Sequence, residues 1–278
     1  MVAKRETRVG HAAWSVDQIP YEAVEPARMR DETELFFITA SASFIEITSD
    51  LYTQNLITFY DGDDEIVDWL ANYWEREEVQ HGHALKRYVE AAWPDFDWET
   101  AYRGFFDEYS QLCKVESLAE NRSLEMVARC VVETGTASFY RALSQASPCP
   151  VLKQIAANIS ADEVRHYKYF YRYFLHYRDR ERPSRFQILR QLWHRGAGVK
   201  AEDAYIAFKH TFAVRYPEKS FADADFHEFR SSLRRIGQNA FPYEMAVKMI
   251  LKPLGLSPPL GRVVQPTLEY TTRLLLLR

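Results

Sequence analysis

At 278 residues, with 47% hydrophobic side chains and only 10 glycines, the chain can bury a sizeable core, and a glycine-rich β architecture is disfavoured. A net charge of −4 argues against a nucleic-acid or anionic-membrane binder. The three cysteines, Cys113, Cys130 and Cys149, lack CxxC spacing and read as reduced thiols of a cytoplasmic protein, not as a disulfide or zinc framework. No signal-peptide-like apolar run opens the sequence, and no stretch of about 18 uncharged apolar residues is there to span a membrane.

In chain order, residues 1–13 are charged and unpatterned, and residues 14–26, broken by Pro20 and Pro26, are expected as an extended arm. The first 30 residues thus read as an N-terminal arm. A first long helix is expected from about residue 31 to residue 60, with Glu46 among apolar neighbours at helical spacing. The loop DGDD ends it, and Asp63 or Asp64 can cap the next helix, residues 65–92. There Trp74, Glu78, His81, Leu85 and Tyr88 share one stripe. A shorter helix around WETAYRGFFDEYSQLCK carries no ligand cluster. A long helix over residues 124–147 puts Met126, Cys130, Glu133, Ala137 and Tyr140 on its inner stripe. Pro150 suits the first turn of the next helix, which lines up Ile155, Ile159, Glu163, His166, Phe170 and Phe174. The run RDRERPSR marks a boundary near residues 178–185. Residues 179–278 read as further amphipathic helices, packed on residues 31–178 or on a partner subunit.

Two Glu-x-x-His pairs stand out, Glu78 with His81 and Glu163 with His166. Residues three apart on a helix point the same way, about one turn from each other. Each pair follows a lone inward Glu at a matched interval: Glu46 lies 32 residues before Glu78, and Glu133 lies 30 before Glu163. The sum is four carboxylates and two imidazoles, the ligand set of a dinuclear carboxylate four-helix bundle. Such donors suit iron or manganese, whereas a structural zinc site favours four ligands, often thiolates. Burying four carboxylates without a cation is costly, which favours the metal reading over a solvated one. His83 reads as a surface residue or as one that supports the ligands from behind, whereas His176, His194, His210 and His227 stand alone and read as structural or solvated. Glu75 and Glu77 lie off the stripe, and Glu34 lies about three turns from Glu46 and reads as solvated.

These residues resemble the soluble acyl-carrier-protein desaturase branch of the ferritin-like superfamily. EEVQHGHAL is similar to that family's EExxHGxxL, and ADEVRH to its ADExRH. Trp14, Asp17 and Pro20 are similar to its W-x-x-x-D-x-x-P segment, with Asp17 one residue closer to the Trp. Thr136 matches a threonine that lies beside the oxygen-binding face of the cluster in that family. The likeness covers residues 14–175, and the last hundred residues match nothing in it.

The resemblance implies an all-α, ferritin-like four-helix bundle with additional C-terminal helices. It implies two iron ions, or manganese or a mixed pair, held by Glu46, Glu78, His81, Glu133, Glu163 and His166. Asp162 would orient His81, Trp14 would approach Asp162 on an electron-entry path, and Thr136 would serve catalysis. The implied activity is O₂-dependent desaturation or oxygenation of an acyl or other largely apolar molecule. An electron donor such as a ferredoxin, a substrate free or bound to a carrier protein, a homodimer and a cytoplasmic location go with it. A ferroxidase, iron-handling or peroxide-scavenging protein is the alternative that the ligands alone leave open. A ribonucleotide-reductase-like radical subunit is disfavoured, because Leu85 stands where that family carries a tyrosine.

Overall fold

The computed structural model describes residues 13–113, 118–197 and 202–276, and among these every regular element is helical. Two 3₁₀ turns, Val16–Gln18 and Tyr21–Ala23, lead into α1 (Pro26–Met29). They are followed by α2 (Thr33–Ile47), α3 (Ser49–Phe59) and α4 (Asp64–Trp69). A π turn, Leu70–Trp74, joins α4 to α5 (Glu75–Ala92). Next come α6 (Trp98–Tyr109), α7 (Arg122–Ala146) and α8 (Pro150–Glu181). The C-terminal third holds α9 (Arg185–Ala197), α10 (Glu202–Arg215), α11 (Asp223–Ala240), α12 (Tyr243–Leu251) and α13 (Pro258–Leu276). No helix among the described residues is long and apolar enough to cross a membrane.

Local chemistry sets several boundaries. Asp97 and Asn121 accept the backbone N–H groups of Thr100 (3.0 Å) and Leu124 (2.9 Å), capping α6 and α7. Pro150 opens α8, where its missing N–H costs nothing. Arg182 turns left-handed to end α8, its N–H bonding Arg178 O at 2.8 Å. Asp63 sits at the start of α4 but does not cap it with its side chain; its Oδ2 accepts from Tyr177 Oη instead, at 2.7 Å.

Two expectations need correction. The helix expected over residues 31–60 breaks at Thr48, whose hydroxyl bonds back to Phe44 O at 2.7 Å and competes with the helix ladder. The N-terminal arm is not extended. Trp14, Ile19 and Val24, which flank its 3₁₀ turns, and Met29 of α1 are buried, and Arg87 of α5 donates to Asp17 at 2.7 Å.

The most extensive contacts run between α7 and α8 and between α2 and α5, and α5 also touches α8. At the α2–α5 contact, a Cβ on residue 82 would come within 2.4 Å of the Ile47 backbone nitrogen. Only glycine fits there, one residue from His81 and one from Glu46. The buried apolar side chains form two clusters. Leu85, Tyr140 and Ile159 belong to one; Trp74, Cys130 and Phe170 belong to the other. Glu78 and His81, Glu133, and Glu163 and His166 lie between these members on α5, α7 and α8, so a polar layer divides the core. The C-terminal helices pack onto the earlier ones: Phe208 and Phe212 of α10 and Phe229 of α11 join the cluster that holds Phe37, and Ile188 and Leu192 of α9 join the other.

Candidate metal centre

The six residues expected as ligands come together, all buried: Glu46, Glu78, His81, Glu133, Glu163 and His166. They fall into two overlapping groups. One donor atom from each of Glu46, Glu78, His81 and Glu163 lies within 4.8 Å of the others, and the same holds for Glu78, Glu133, Glu163 and His166. Glu78 and Glu163 belong to both groups, and each group adds one further Glu and one His. His81 Nδ1 stands 3.7 Å from Glu46 and 3.5 Å from Glu163 Oε1. His166 Nδ1 stands 2.9 Å from Glu78, 3.6 Å from Glu133 and 3.9 Å from Glu163 Oε2.

The fit to metal ions rests on what these atoms lack. Glu78 Oε1, His81 Nδ1, Glu133 Oε2, Glu163 Oε1 and His166 Nδ1 are all buried without a hydrogen-bond partner. Five such atoms converging on one place are expensive in a folded protein unless a cation satisfies them. The donors are carboxylate and imidazole only, a set suited to iron or manganese. Cys130, one turn from Glu133, belongs to neither group; burial holds its pKa well above the usual thiol value, so it stays protonated.

The outer nitrogens of the histidines are fixed by carboxylates. His81 Nε2 donates to Asp162 Oδ2 at 3.1 Å, and Trp14 Nε1 donates to the same oxygen at 2.8 Å. His166 Nε2 donates to Glu77 Oε2 at 2.7 Å. Burial opposes ionisation of both acids. His81, Arg165 and Trp14 nevertheless bring Asp162 below the ordinary range, and His166 and Arg165 do the same for Glu77. With ionised acceptors outside, each neutral imidazole carries its proton on Nε2 and turns the Nδ1 lone pair inward. Arg165 joins the two acids, donating to Glu77 Oε1 at 2.7 Å and pairing with Asp162 Oδ1 at 2.9 Å. The arrangement is crossed: Asp162 of the α8 motif serves the histidine of α5, and Glu77 of the α5 motif serves the histidine of α8.

Trp14 lies parallel to His81, with ring centroids 6.1 Å apart. Thr136 Oγ1 donates to Glu163 Oε2 at 2.7 Å and also lies 3.2 Å from Val132 O and 3.3 Å from Glu133 O. Tyr140 Oη donates to Glu46 Oε1. Burial, then the Glu46 charge, pushes the Tyr140 pKa well up, so it remains a donor. Trp69, Trp74 and Phe170 wall off the His166 side.

In the protein without metal, protons take the cation's place. Burial and the Glu163 charge push Glu78 up to about 8, and the same two causes raise Glu133 well above its ordinary value. Burial would lower both histidines, but the surrounding carboxylates raise them well above the usual imidazole range. Burial would also raise Glu163, yet the neighbouring His81 imidazole and Glu133 carboxyl, with the charges of both histidines, bring it down to about 2.

Sequence reasoning missed Glu77, Arg165, Tyr140 and the fit of Gly82. Glu77 lies off the inner stripe, as expected, but it is the partner of His166. The signal was present: an acid directly precedes the inward Glu in both motifs, Glu77-Glu78 and Asp162-Glu163. Tyr140 gave no signal beyond its place on the stripe. Of the other histidines, His83 is exposed, whereas His210, read as isolated, lies 2.7 Å from Glu108 Oε2 and helps join α10 to α6. No protein-family description, curated protein or solved structure matches the chain.

Proposed function

We propose that the chain is a ferritin-like oxidoreductase with a dinuclear metal site, its α2, α4–α5, α7 and α8 forming the four-helix bundle. In this reading it uses O₂ to desaturate or oxygenate a largely apolar small molecule. The observation that carries it is the convergence of five buried, unpartnered ligand atoms on two overlapping sets that share Glu78 and Glu163. Glu46, His81, Glu133 and His166 complete the ligand set. A pair of bound iron or manganese ions would supply two-electron chemistry with O₂.

The remaining work falls to the chain's own groups. Asp162 and Glu77 hold the imidazoles so that Nδ1 faces inward. Tyr140 fixes Glu46 by donating to it. The Thr136 hydroxyl, bonded to Glu163 Oε2, holds a proton at the edge of the site and can pass it inward. Trp69, Trp74 and Phe170 keep bulk water from the His166 side. The continuous link Trp14–Asp162–His81 gives electrons from an external donor protein a route inward. A substrate free or bound to a carrier protein, a homodimer and a cytoplasmic location belong to the same reading.

Loading with Fe(II) is expected to give two ions per chain by metal analysis, with a visible spectrum developing on exposure to O₂. Glu163→Ala, which removes a carboxylate from both groups, should lose most of that binding. Failure of the wild type to hold iron or manganese, or equal loading of Glu163→Ala, sinks the proposal. The outer carboxylates provide a graded test. Asp162→Asn and Glu77→Gln should each weaken metal affinity about 10- to 100-fold in competition with a chelator, with helix content unchanged. Loss at both positions is expected, because each histidine has its outer nitrogen held by one carboxylate.

A further inference from the structure

Along α7, Arg129, Glu133, Thr136 and Tyr140 follow one another at spacings of 4, 3 and 4 residues, so Arg129 continues the stripe that carries the candidate ligand. One turn of helix, about 6 Å, separates it from Glu133. Arg129 is only 3% exposed. Its Nε donates to Glu125 Oε1 at 3.0 Å, and its guanidinium lies over the Tyr52 ring, 4.2 Å from the centroid. Its Nη2 is buried with no hydrogen-bond partner.

Glu125 does not complete this arginine. Its Oε1 already accepts from Tyr52 Oη at 3.1 Å as well as from Arg129, and its Oε2 accepts from Ala119 N at 2.8 Å. A second arginine comes from α9, which packs on α7: Arg195 also has a buried nitrogen, Nε, without a partner. The Arg129 charge is the largest influence on Arg195 and, with burial, pulls its pKa down. Asp203, at the start of α10, is the other acid acting on Arg195; burial raises its pKa, and its Oδ1 accepts from Ala204 N at 2.7 Å. Two arginines on packed helices, each with a buried and unused donor, match the needs of an anionic oxygen group.

We infer that Arg129 and Arg195 form a binding site for the carboxylate of a small organic acid, whose apolar remainder reaches along α7 toward Glu133 and Thr136. The inference rests on the dinuclear reading for where the substrate reacts, but the anion site itself stands on the two arginines. A guanidinium presents parallel N–H donors that a carboxylate fills in pairs. The Tyr52 ring, stacked on Arg129, holds that donor plane in place. The site would thus select a molecule by its acid end and place a carbon one helical turn away beside the candidate ligands.

The test is calorimetric titration of the chelator-treated full chain with octanoate, benzoate, octan-1-ol and inorganic phosphate, with metal loading measured separately. Chelator treatment prevents the acids from binding to metal. At least one of the two carboxylates should bind the wild type. Arg195→Gln should weaken it by about 10-fold or more, and Arg195→Lys should keep part of the affinity. Octan-1-ol should show no dependence on residue 195. Arg195 lies on the outer helix α9, so an unchanged melting temperature checks folding where Arg129→Gln would disturb the core. Neither carboxylate binding a chain that loads metal overturns the inference, as does equal binding to wild type and Arg195→Gln, or phosphate binding in place of both acids. Arg195-dependent carboxylate binding in a chain that takes up no metal would uphold the anion site and defeat the dinuclear reading.

Discussion

The metal-free protein is expected to lose stability as pH rises from about 5 to 8, on the order of a few kcal/mol. The sign follows from proton counts. Glu78 titrates near 8 in the folded chain, Glu133 well above its ordinary value, and His81 and His166 well above 6.5. In the unfolded chain these groups return to about 4.3 for Glu and 6.5 for His. Across the window the folded state holds more protons than the unfolded state, so stability present at low pH is lost as pH climbs through the folded values. Glu163 runs the opposite way, but with a pKa of about 2 its contribution is complete above the unfolded value and does not offset the loss. Bound metal replaces those protons, so loading should flatten or reverse the slope. Thermal melts from pH 5 to 8, with and without Fe(II) or Mn(II), measure this. A metal-free melting temperature that rises across the range contradicts it.

Gly82→Ala should be among the most damaging single-methyl changes in the chain, costing about 3 kcal/mol. The added Cβ would meet Ile47 N at 2.4 Å, and also Ile47 Cα and Cβ at 2.7 Å, and backbone cannot swing aside as a side chain can. α2 and α5 must then separate where Glu46 faces His81, so metal affinity should fall along with stability. Gly135→Ala is the control. A Cβ there meets nothing within 4 Å, and α7 should gain about 0.5–1 kcal/mol from the better helix former. Denaturant midpoints for the two variants should move in opposite directions. A neutral Gly82→Ala would mean that the helices do not approach as closely as described.

Much of the site was legible because its residues obey helical periodicity. Glu78 and His81, and Glu163 and His166, share inward stripes, and the lone acids Glu46 and Glu133 stood out against apolar neighbours. Inward facing is a one-dimensional signal, and the structure confirms it for all six. What was not legible depends on contacts between helices. Glu77 gains its place only because α8 brings His166 beside it, and Gly82 matters only because α2 arrives at Ile47. Tyr140 read only as a member of the inner stripe, and its hydroxyl's partner lies 94 residues away. The break at Thr48 escaped because threonine is tolerated within helices, and its bond back to Phe44 is a local choice that composition does not announce. The C-terminal third was legible as amphipathic helices, but which face met which earlier helix was not.

The π turn at Leu70–Trp74 bears on how the aromatic wall is built. In a regular α-helix, residues five apart point about 140° away from each other, so Trp69 and Trp74 could not both face one neighbour. The wider turn takes up the extra residue and brings them into phase. Both rings accordingly lie edge-on to Phe170, at centroid distances of 5.0 and 5.6 Å, and to His166, at 6.4 and 6.5 Å. The inserted residue thus acts as a phase shifter between two rigid stretches of one helix. It lets the Trp69 end answer to Tyr169 and Tyr173 while the Glu78 end answers to the polar layer. A one-residue deletion within 70–74 would restore an ordinary helix and force one of those two registers to give way.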